Sequence, residues 1–330
     1  MNFLKLVDLC QNKKVWIQTH NFPDPDAIGS AFALQELLKQ YQIETTLCYE
    51  GAIDKLSTAK MMDLLDIEMY SYSEIIDKLK PTDMIILVDC QKNTGNTIDM
   101  IGLELAAIDH HPTSIKVDYE YSDIQITGAC ASIIAGYFKD SGITPSKKAA
   151  TALLYGMRMD TLQFSRGATE FDVNMFGYLF PLVDHSLINL MEKNNMEYFD
   201  MQAYASSINN TRIIGKVGFS HIDFSCPDAL VAILCDFLLS LVEVDVAIVY
   251  SKRPDGYKFS IRSERSEVNA GHLAQKCLGK IGTGGGHAFM AGGMVENNEL
   301  TDNDDEFFDK ICDVFLAVVK QDYPHILCSY

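Results

Sequence analysis

Along the first half of the chain, short apolar runs alternate with longer stretches in which apolar residues recur every three or four positions. Residues 15–19, Val-Trp-Ile-Gln-Thr, read as a β-strand that stops at His20, and a polar, proline-broken loop follows over 21–26. A helix is predicted over 27–39, with Ile28, Phe32, Leu34, Leu37 and Leu38 on its buried side. Residues 43–49 read as the next strand, and two short helices follow over 57–65 and 73–79. Residues 84–88, Met-Ile-Ile-Leu-Val, are apolar throughout, as in a strand buried on both faces of a parallel sheet. That strand ends at Asp89. A fourth strand over 103–107 leads into Ile108-Asp109-His110-His111-Pro112. Strands alternating with helices at this spacing imply βαβ units and a doubly wound, mainly parallel sheet.

Helices are predicted over 127–137, 147–159 and 169–184, and 188–207 is helical and polar, suited to joining two domains. Beyond it the pattern changes to a strand over 213–222, a helix over 229–241 and a hairpin of 246–251 with 258–262 around Pro254-Asp255-Gly256. A helix over 268–278, a glycine-rich loop over 282–287, an acidic surface loop over 297–306 and a closing helix over 304–320 complete the chain. The expected organisation is a first α/β domain over 1–190, a helical linker over 191–212 and a smaller α/β domain over 213–330, with a cleft between the domains.

At 330 residues the chain is long enough for two cores. Its net charge of −18 repels extended polyphosphate backbones, so duplex nucleic acid is excluded as a partner. A small anion remains acceptable where bound metal reverses the local sign. The nine cysteines are spread singly with no CxxC pair, which argues against a disulfide framework and a thiolate zinc site and fits a reduced, cytoplasmic setting. Residues 1–10 pattern as an amphipathic helix rather than a signal peptide. Residues 230–249 come nearest to a membrane span, but Asp236, Glu243 and Asp245 interrupt them, so no span is expected.

The chemistry lies where the strands end. His20, Asp24, Asp26, Asp89, Asp109, His110 and His111 all follow the C-terminal ends of predicted strands, the edge at which open α/β sheets bind ligands. Neighbouring positions on an extended chain point to opposite sides, so one apolar surface cannot use both His110 and His111. His20-Asn-Phe-Pro-Asp24-Pro-Asp26 gathers nitrogen and oxygen donors without thiolates, a set suited to Mn²⁺ or Mg²⁺ rather than zinc or iron. Capping of the helix at Ala27 would explain Asp26, but not His20 and Asp24 as well. Asp89, at the end of a buried strand, is costly unless paired or metal-bound. With Asp160, these two histidines and four carboxylates match a two-metal site, which bridges a hydroxide, clamps a phosphoryl oxygen and neutralises charge building on phosphorus. In the second half, Gly282-Thr-Gly284-Gly285-Gly286-His287 exposes backbone amides that could cradle a phosphate or carboxylate, and Arg262 is suited to bidentate phosphate capture. His185, His221, His272 and His325 read as ordinary surface or core residues, and Met157 and Met159 as packing.

These blocks resemble the DHH phosphoesterase superfamily, named for the tripeptide present here as Asp109-His110-His111. His20-x-x-x-Asp24-x-Asp26-Ala-x-Gly29-Ser30 is similar to its first motif, Val88-Asp89 to its second, and residues 156–164 to its fourth. Gly284-Gly285-Gly286-His287, with Asn269-Ala-Gly271 upstream, resembles the first type of DHH-associated C-terminal domain. That pairing is similar to bacterial nanoRNase and 3′-phosphoadenosine-5′-phosphate (pAp) phosphatase enzymes and to stand-alone cyclic or linear dinucleotide phosphodiesterases. The resemblance implies that His20 and Asp24 hold one manganese, that Asp26, His110 and Asp160 hold the other, and that Asp89 bridges both. It implies that His111 contacts the scissile phosphate, that Asp109 orients its histidine neighbours, and that Arg262, Gly284, Gly285, Gly286 and His287 bind the terminal phosphate or base. It also implies a homodimer. Thr283, Met159 and Ser132 depart from the residues common in relatives; none removes a ligand, so the departures bear on substrate preference. The expectation is a two-domain hydrolase that releases nucleoside monophosphate from oligonucleotides of about two to five units, linear or cyclic dinucleotides, or pAp. Its rivals are an inorganic pyrophosphatase or exopolyphosphatase and a catalytically silent nucleotide sensor.

Overall fold

The computed structural model describes residues 3–53, 55–113, 115–193, 196–296 and 304–327. The chain divides into two compact units, Met1–Asn195 and Met196–Tyr330.

In the first unit six strands, β1 (Val15–Gln18), β2 (Thr45–Tyr49), β3 (Tyr70–Ser71), β4 (Met84–Val88), β5 (Leu103–Asp109) and β6 (Tyr121–Ile124), form one parallel sheet in the order β3-β2-β1-β4-β5-β6. The chain builds outward from β1 to β3, then crosses back to place β4 on the other side of β1. The crevice above β1 and β4 is therefore the topological switch point. Every residue of β4 is buried. Met84, Ile86 and Val88 join the core under α2 (Pro25–Lys39), α5 (Cys130–Ser141) and α6 (Lys147–Asp160), while Ile85 and Leu87 pack on the opposite face with Trp16, Ile75, Leu79 and Met100. The remaining helices are α1 (Phe3–Cys10), α3 (Leu56–Leu65), α4 (Tyr72–Ile75), α7 (Glu170–Leu179) and α8 (His185–Glu192).

Helices α2 and α6 cross backbone to backbone. A β-carbon on Gly29 would lie 2.7 Å from the Ala152 carbonyl oxygen, and one on Gly156 would lie 2.8 Å from Asp26 Cα. The two glycines thus allow the N-terminus of α2, carrying Asp26, to meet the last turn of α6, carrying Asp160.

The boundaries differ from the sequence pattern for local reasons. Strand β5 runs on to Asp109, so the aspartate ends the strand rather than lying beyond it. Strands β3 and β6 are short edge strands held by tertiary pairing and have no sequence run of their own. The helix expected over 169–184 stops at Leu179, ahead of Pro181; α8 then restarts behind the Asp184 cap, whose side chain accepts from the Ser186 and Leu187 amides. The predicted helix at 127 begins at Cys130.

In the second unit α9 (Tyr198–Asn209) precedes β7 (Arg212–Ile214), β8 (Val217–Ile222), α10 (Asp228–Leu239), β9 (Val246–Arg253), β10 (Gly256–Ser263), α11 (Ala270–Leu278), β11 (Thr283–Gly286), β12 (Met290–Glu296) and α12 (Asp304–Asp322). The sheet order is β11-β12-β10-β9-β8-β7, antiparallel except for β8 with β9. The single strand expected over 213–222 is a hairpin that turns at Gly215, φ 60°. Helix α9, within the stretch read as a linker, lies against β8, with Ser207 Oγ 2.8 Å from Ser220 Oγ. The glycine stretch expected as a loop is largely the edge strand β11, with Gly284 paired to Gly293 and Gly285 to Gly292. Of the acidic loop, residues 297–303 lie outside the described residues.

Candidate metal centre

Asp24 caps α2: its Oδ1 accepts from the amides of Asp26 (3.0 Å) and Ala27 (3.1 Å). The cap weighed for Asp26 in the sequence thus belongs to Asp24. This frees Asp26 to reach across to α5, where its carboxylate accepts from the Cys130 amide (2.7 Å) and the Ala131 amide (2.9 Å). Asp26 therefore sits at two helix N-termini, a favourable place for a negative charge.

Asp89 leaves β4 in the left-handed region, φ 61°, which aspartate tolerates better than bulkier residues, and it is buried. Its Oδ2 lies 3.6 Å from His20 Nε2 and its Oδ1 lies 3.3 Å from His110 Nε2. Oδ1 is inaccessible and has no hydrogen-bond donor among the described residues. His20 Nε2 is also 3.8 Å from Asp24, and His110 Nε2 is 3.2 Å from Asp160. Ligand atoms thus gather into two sets, each within 4.8 Å: His20, Asp24 and Asp89, and Asp26, His110 and Asp160. Asp89 stands between them.

Both histidines are turned for ligation. His20 Nδ1 lies 2.9 Å from the Asn21 carbonyl and His110 Nδ1 lies 3.0 Å from the Thr127 carbonyl. Donation there leaves each Nε2 lone pair facing the carboxylates, the arrangement metal-binding histidines use. His111 differs. Its Nδ1 is 2.8 Å from Asp109 Oδ1, an oxygen that also accepts from the His110 and His111 amides. Gln91 donates to Asp109 Oδ2 at 2.7 Å and to the His111 carbonyl at 3.1 Å. Asp89, His110 and His111 also have ligand atoms within reach of one another. Nδ1 of His111 is engaged by Asp109, and its ring is half-exposed.

The electrostatics are those of an anion cage. Burial, then Asp26, Asp24 and further carboxylates, push Asp89 well above the ordinary carboxyl range. Burial, then Asp160 and Asp24, push Asp26 up likewise, against the amides of Ala131 and Cys130. Asp160 is raised by burial and Asp24, with His110 opposing. Burial would also raise Asp24, but its contacts with His20 and the Ala27 amide outweigh it and hold the carboxyl low. The neighbouring thiol of Cys130, driven well up by burial and by Asp89, donates to the Ile108 carbonyl at 3.6 Å and belongs to neither ligand set. Crowded carboxylates, two oriented imidazoles, one orphaned buried oxygen and no thiolate fit a pair of hard or borderline divalent cations.

Two family models match the chain: DHH family, N-terminal domain, over residues 14–157, and DHHA1 domain over residues 214–320. The chain belongs to the DHH phosphoesterase superfamily. An uncharacterised protein of Methanocaldococcus jannaschii is 30% identical over 297 residues, 88% of this chain and 60% of that one. The chain thus spans under two thirds of that relative's length. The bifunctional oligoribonuclease and PAP phosphatase NrnA of Thermus thermophilus is 26% identical over 301 residues, 87% of this chain and 85% of its own. A probable manganese-dependent inorganic pyrophosphatase of Bacillus cereus is 31% identical over 169 residues, 49% of this chain and 52% of its own. The fold is that of an exopolyphosphatase-related protein from Bacteroides fragilis, at a TM-score of 0.77 and 18% identity over 97% of this chain and 95% of that one.

In the DHHA1 domain the candidate substrate residues are placed more unevenly. Gly284 and Gly286 lie under α11: a β-carbon on Gly284 would come within 2.5 Å of the Ala274 carbonyl oxygen, and one on Gly271 within 2.2 Å of the Gly286 carbonyl oxygen. Close approach of helix and strand explains Gly284 and Gly271, whereas Gly286 makes room for β12, where its β-carbon would lie 2.6 Å from Ala291 Cα. Gly285 faces open space, and His287 is exposed. Arg262 is engaged, with Nε 2.7 Å from Asp236 and one guanidinium nitrogen 3.1 Å from Ser260 Oγ.

Several groups escaped the sequence reading: Gln91, the Thr127 carbonyl and the Cys130 and Ala131 amides. Gln91 carries a local signal, two residues after Asp89 at a strand end. The others act through backbone atoms brought in from distant segments, and no residue type marks them.

Proposed function

We propose that the chain is a divalent-metal-dependent phosphoesterase that hydrolyses short oligonucleotides, linear or cyclic dinucleotides, or pAp, with release of nucleoside monophosphate. The observation that carries this reading is the meeting of His20, Asp24, Asp26, His110 and Asp160 around Asp89, whose buried Oδ1 has no hydrogen-bond donor among the described residues, at the switch point of the sheet. Two divalent cations there, manganese with magnesium as the alternative, would lower the pKa of water and clamp the phosphoryl oxygens. His20 and Asp24 would hold one, Asp26, His110 and Asp160 the other, and Asp89 both. His111, fixed through Nδ1 by Asp109, directs Nε2 at the scissile phosphate and stabilises charge developing there. In the second domain Gly284, Gly285, Gly286 and His287 would receive the terminal phosphate or base, with Arg262 joining them by sharing or leaving Asp236.

Pyrophosphate hydrolysis is the rival supported by the Bacillus cereus relative. The DHHA1 match favours nucleotides, since that domain type is the one that the sequence motifs pair with nanoRNase and pAp phosphatase. The test is product analysis by ion-exchange chromatography after incubation with MnCl₂ and, in parallel, a dinucleotide, pAp, a cyclic dinucleotide or pyrophosphate. Nucleoside monophosphate should accumulate at least about 10-fold faster than phosphate from pyrophosphate, a discrimination of about 1.4 kcal/mol, and EDTA should abolish it. Turnover of pyrophosphate alone would contradict the proposal, and no turnover of any of the four would leave the sensor.

A further inference from the structure

We propose that Phe22 is a base-stacking residue at the rim of the metal centre and selects nucleotides over inorganic phosphates; this deepens the function proposed above and rests on it. Phe22 lies two residues from His20 and two from Asp24, and 63% of its surface is exposed. Its backbone is left-handed, φ 56°, a conformation that bulky side chains avoid and that collects at functional sites. Among the described residues, the other non-glycine residues with positive φ are Asn, Gln or Asp, apart from Leu162 and Phe164. Phe164 differs in being partly buried, its ring packed edge-on against Phe176 with centroids 5.0 Å apart. Leu162, like Phe22, is exposed and stands two residues from a candidate ligand, Asp160.

The position is built, not frayed. The Phe22 amide donates to the Glu50 carbonyl at 2.8 Å, the Asn21 amide donates to the Asn96 carbonyl at 2.7 Å, and the Ile98 amide donates to Asn21 Oδ1 at 3.2 Å. These bonds pin the loop after β1 to the loops after β2 and β4. The ring rests on Gly51, where a β-carbon would lie 2.6 Å from Phe22 Cδ1. One side of the ring is thus backed by peptide, and the side chain stays largely open to solvent. Pyrophosphate and polyphosphate offer nothing to cover an apolar ring, whereas a nucleobase offers a π-face and gains from stacking.

Loss of one such stack should lower kcat/KM for a dinucleotide or pAp by about 10- to 100-fold in Phe22→Ala, mainly through KM. Phe22→Trp should restore it. The thermal shift on adding Mn²⁺, measured alongside, should be unchanged in both variants, which separates base binding from damage to the metal centre. Phe22→Trp also carries its own reporter, because the chain's one natural tryptophan, Trp16, is buried. With Mg²⁺ present, AMP should quench the fluorescence of Phe22→Trp saturably and ribose 5-phosphate should not. Nucleotide kinetics in Phe22→Ala within twofold of the parent, or equal quenching by both ligands, would overturn the inference. A parent chain that hydrolyses only pyrophosphate would overturn the proposed function, while the AMP quench reports base binding independently of turnover.

Discussion

Replacing Asp89 by asparagine is expected to lower kcat/KM by about three orders of magnitude, or ~4 kcal/mol of barrier. The carboxylate is the one group placed to serve both ligand sets, through Oδ2 toward His20 and Oδ1 toward His110. Removing its charge should weaken both proposed cation sites together, and metal-supplied stabilisation of phosphoryl transfer is worth several kcal/mol. Asparagine is the informative substitution because it is nearly isosteric and, like aspartate, tolerates the left-handed backbone at φ 61°. The same change should leave the metal-free protein at least as stable at neutral pH, since the native carboxyl is held well above its ordinary range there by burial and neighbouring carboxylates. Lost activity with a retained or raised Tm identifies a ligand. Lost activity with a collapsed Tm would mean that Asp89 acts in folding instead.

The second large effect is on the pH dependence of stability. Asp26, Asp89 and Asp160 have raised carboxyls in the fold, so the folded chain binds more protons than the unfolded chain above about pH 4, the unfolded carboxyl value. Their stabilisation is present at low pH and lost as pH rises through the raised values. His20 acts in the same direction. Burial would lower its pKa, but the bond to Asp24 outweighs it, and stability from the raised value is lost as pH rises above about 6.5. Asp24 and Asp109 are lowered and act oppositely, but their stabilisation is lost only as pH falls below about 4. His221, lowered by burial, opposes this near pH 6.5, but Asp26, Asp89, Asp160 and His20 act together, so between pH 5 and 8 the EDTA-treated chain should lose Tm as pH rises. Mn²⁺ requires the deprotonated ligands and should reverse the trend. At 100 times Kd it should add about 2.7 kcal/mol, or roughly 5–10 °C for a domain of this size. Thermal unfolding by circular dichroism across that range, with EDTA or MnCl₂, checks both slopes. A Tm indifferent to Mn²⁺ at pH 8 would remove the cations from the account.

The candidate ligands His20, Asp89 and His110 stand out in the sequence because each sits where an apolar run breaks. His20 and Asp89 end strands buried on both faces, and His110 follows one. The strand-end rule needs only the order of elements, not their packing. Asp160 is different: it ends a helix, and its place in the site depends on Gly29 and Gly156 letting α6 lie on α2, a fact about two distant segments. The same limit hid β6, which exists because β5 offers it a ladder, and hid the amides of Cys130 and Ala131. The glycines at 284–286 misled in another way. Glycine-rich sequence normally signals a loop, but here Gly284 lets α11 press onto a strand and Gly286 lets that strand lie against β12. Phe22 drew no notice in the sequence, since what sets it apart is a left-handed backbone under an exposed ring, which composition does not convey.

Anomalous diffraction at the manganese edge, from crystals grown with MnCl₂, tests the central claim most directly. Two peaks roughly 3.5–4 Å apart should appear, one against His20 and Asp24, the other against Asp26, His110 and Asp160, with Asp89 touching both. A single peak, or peaks that leave Asp89 uncoordinated, would contradict it.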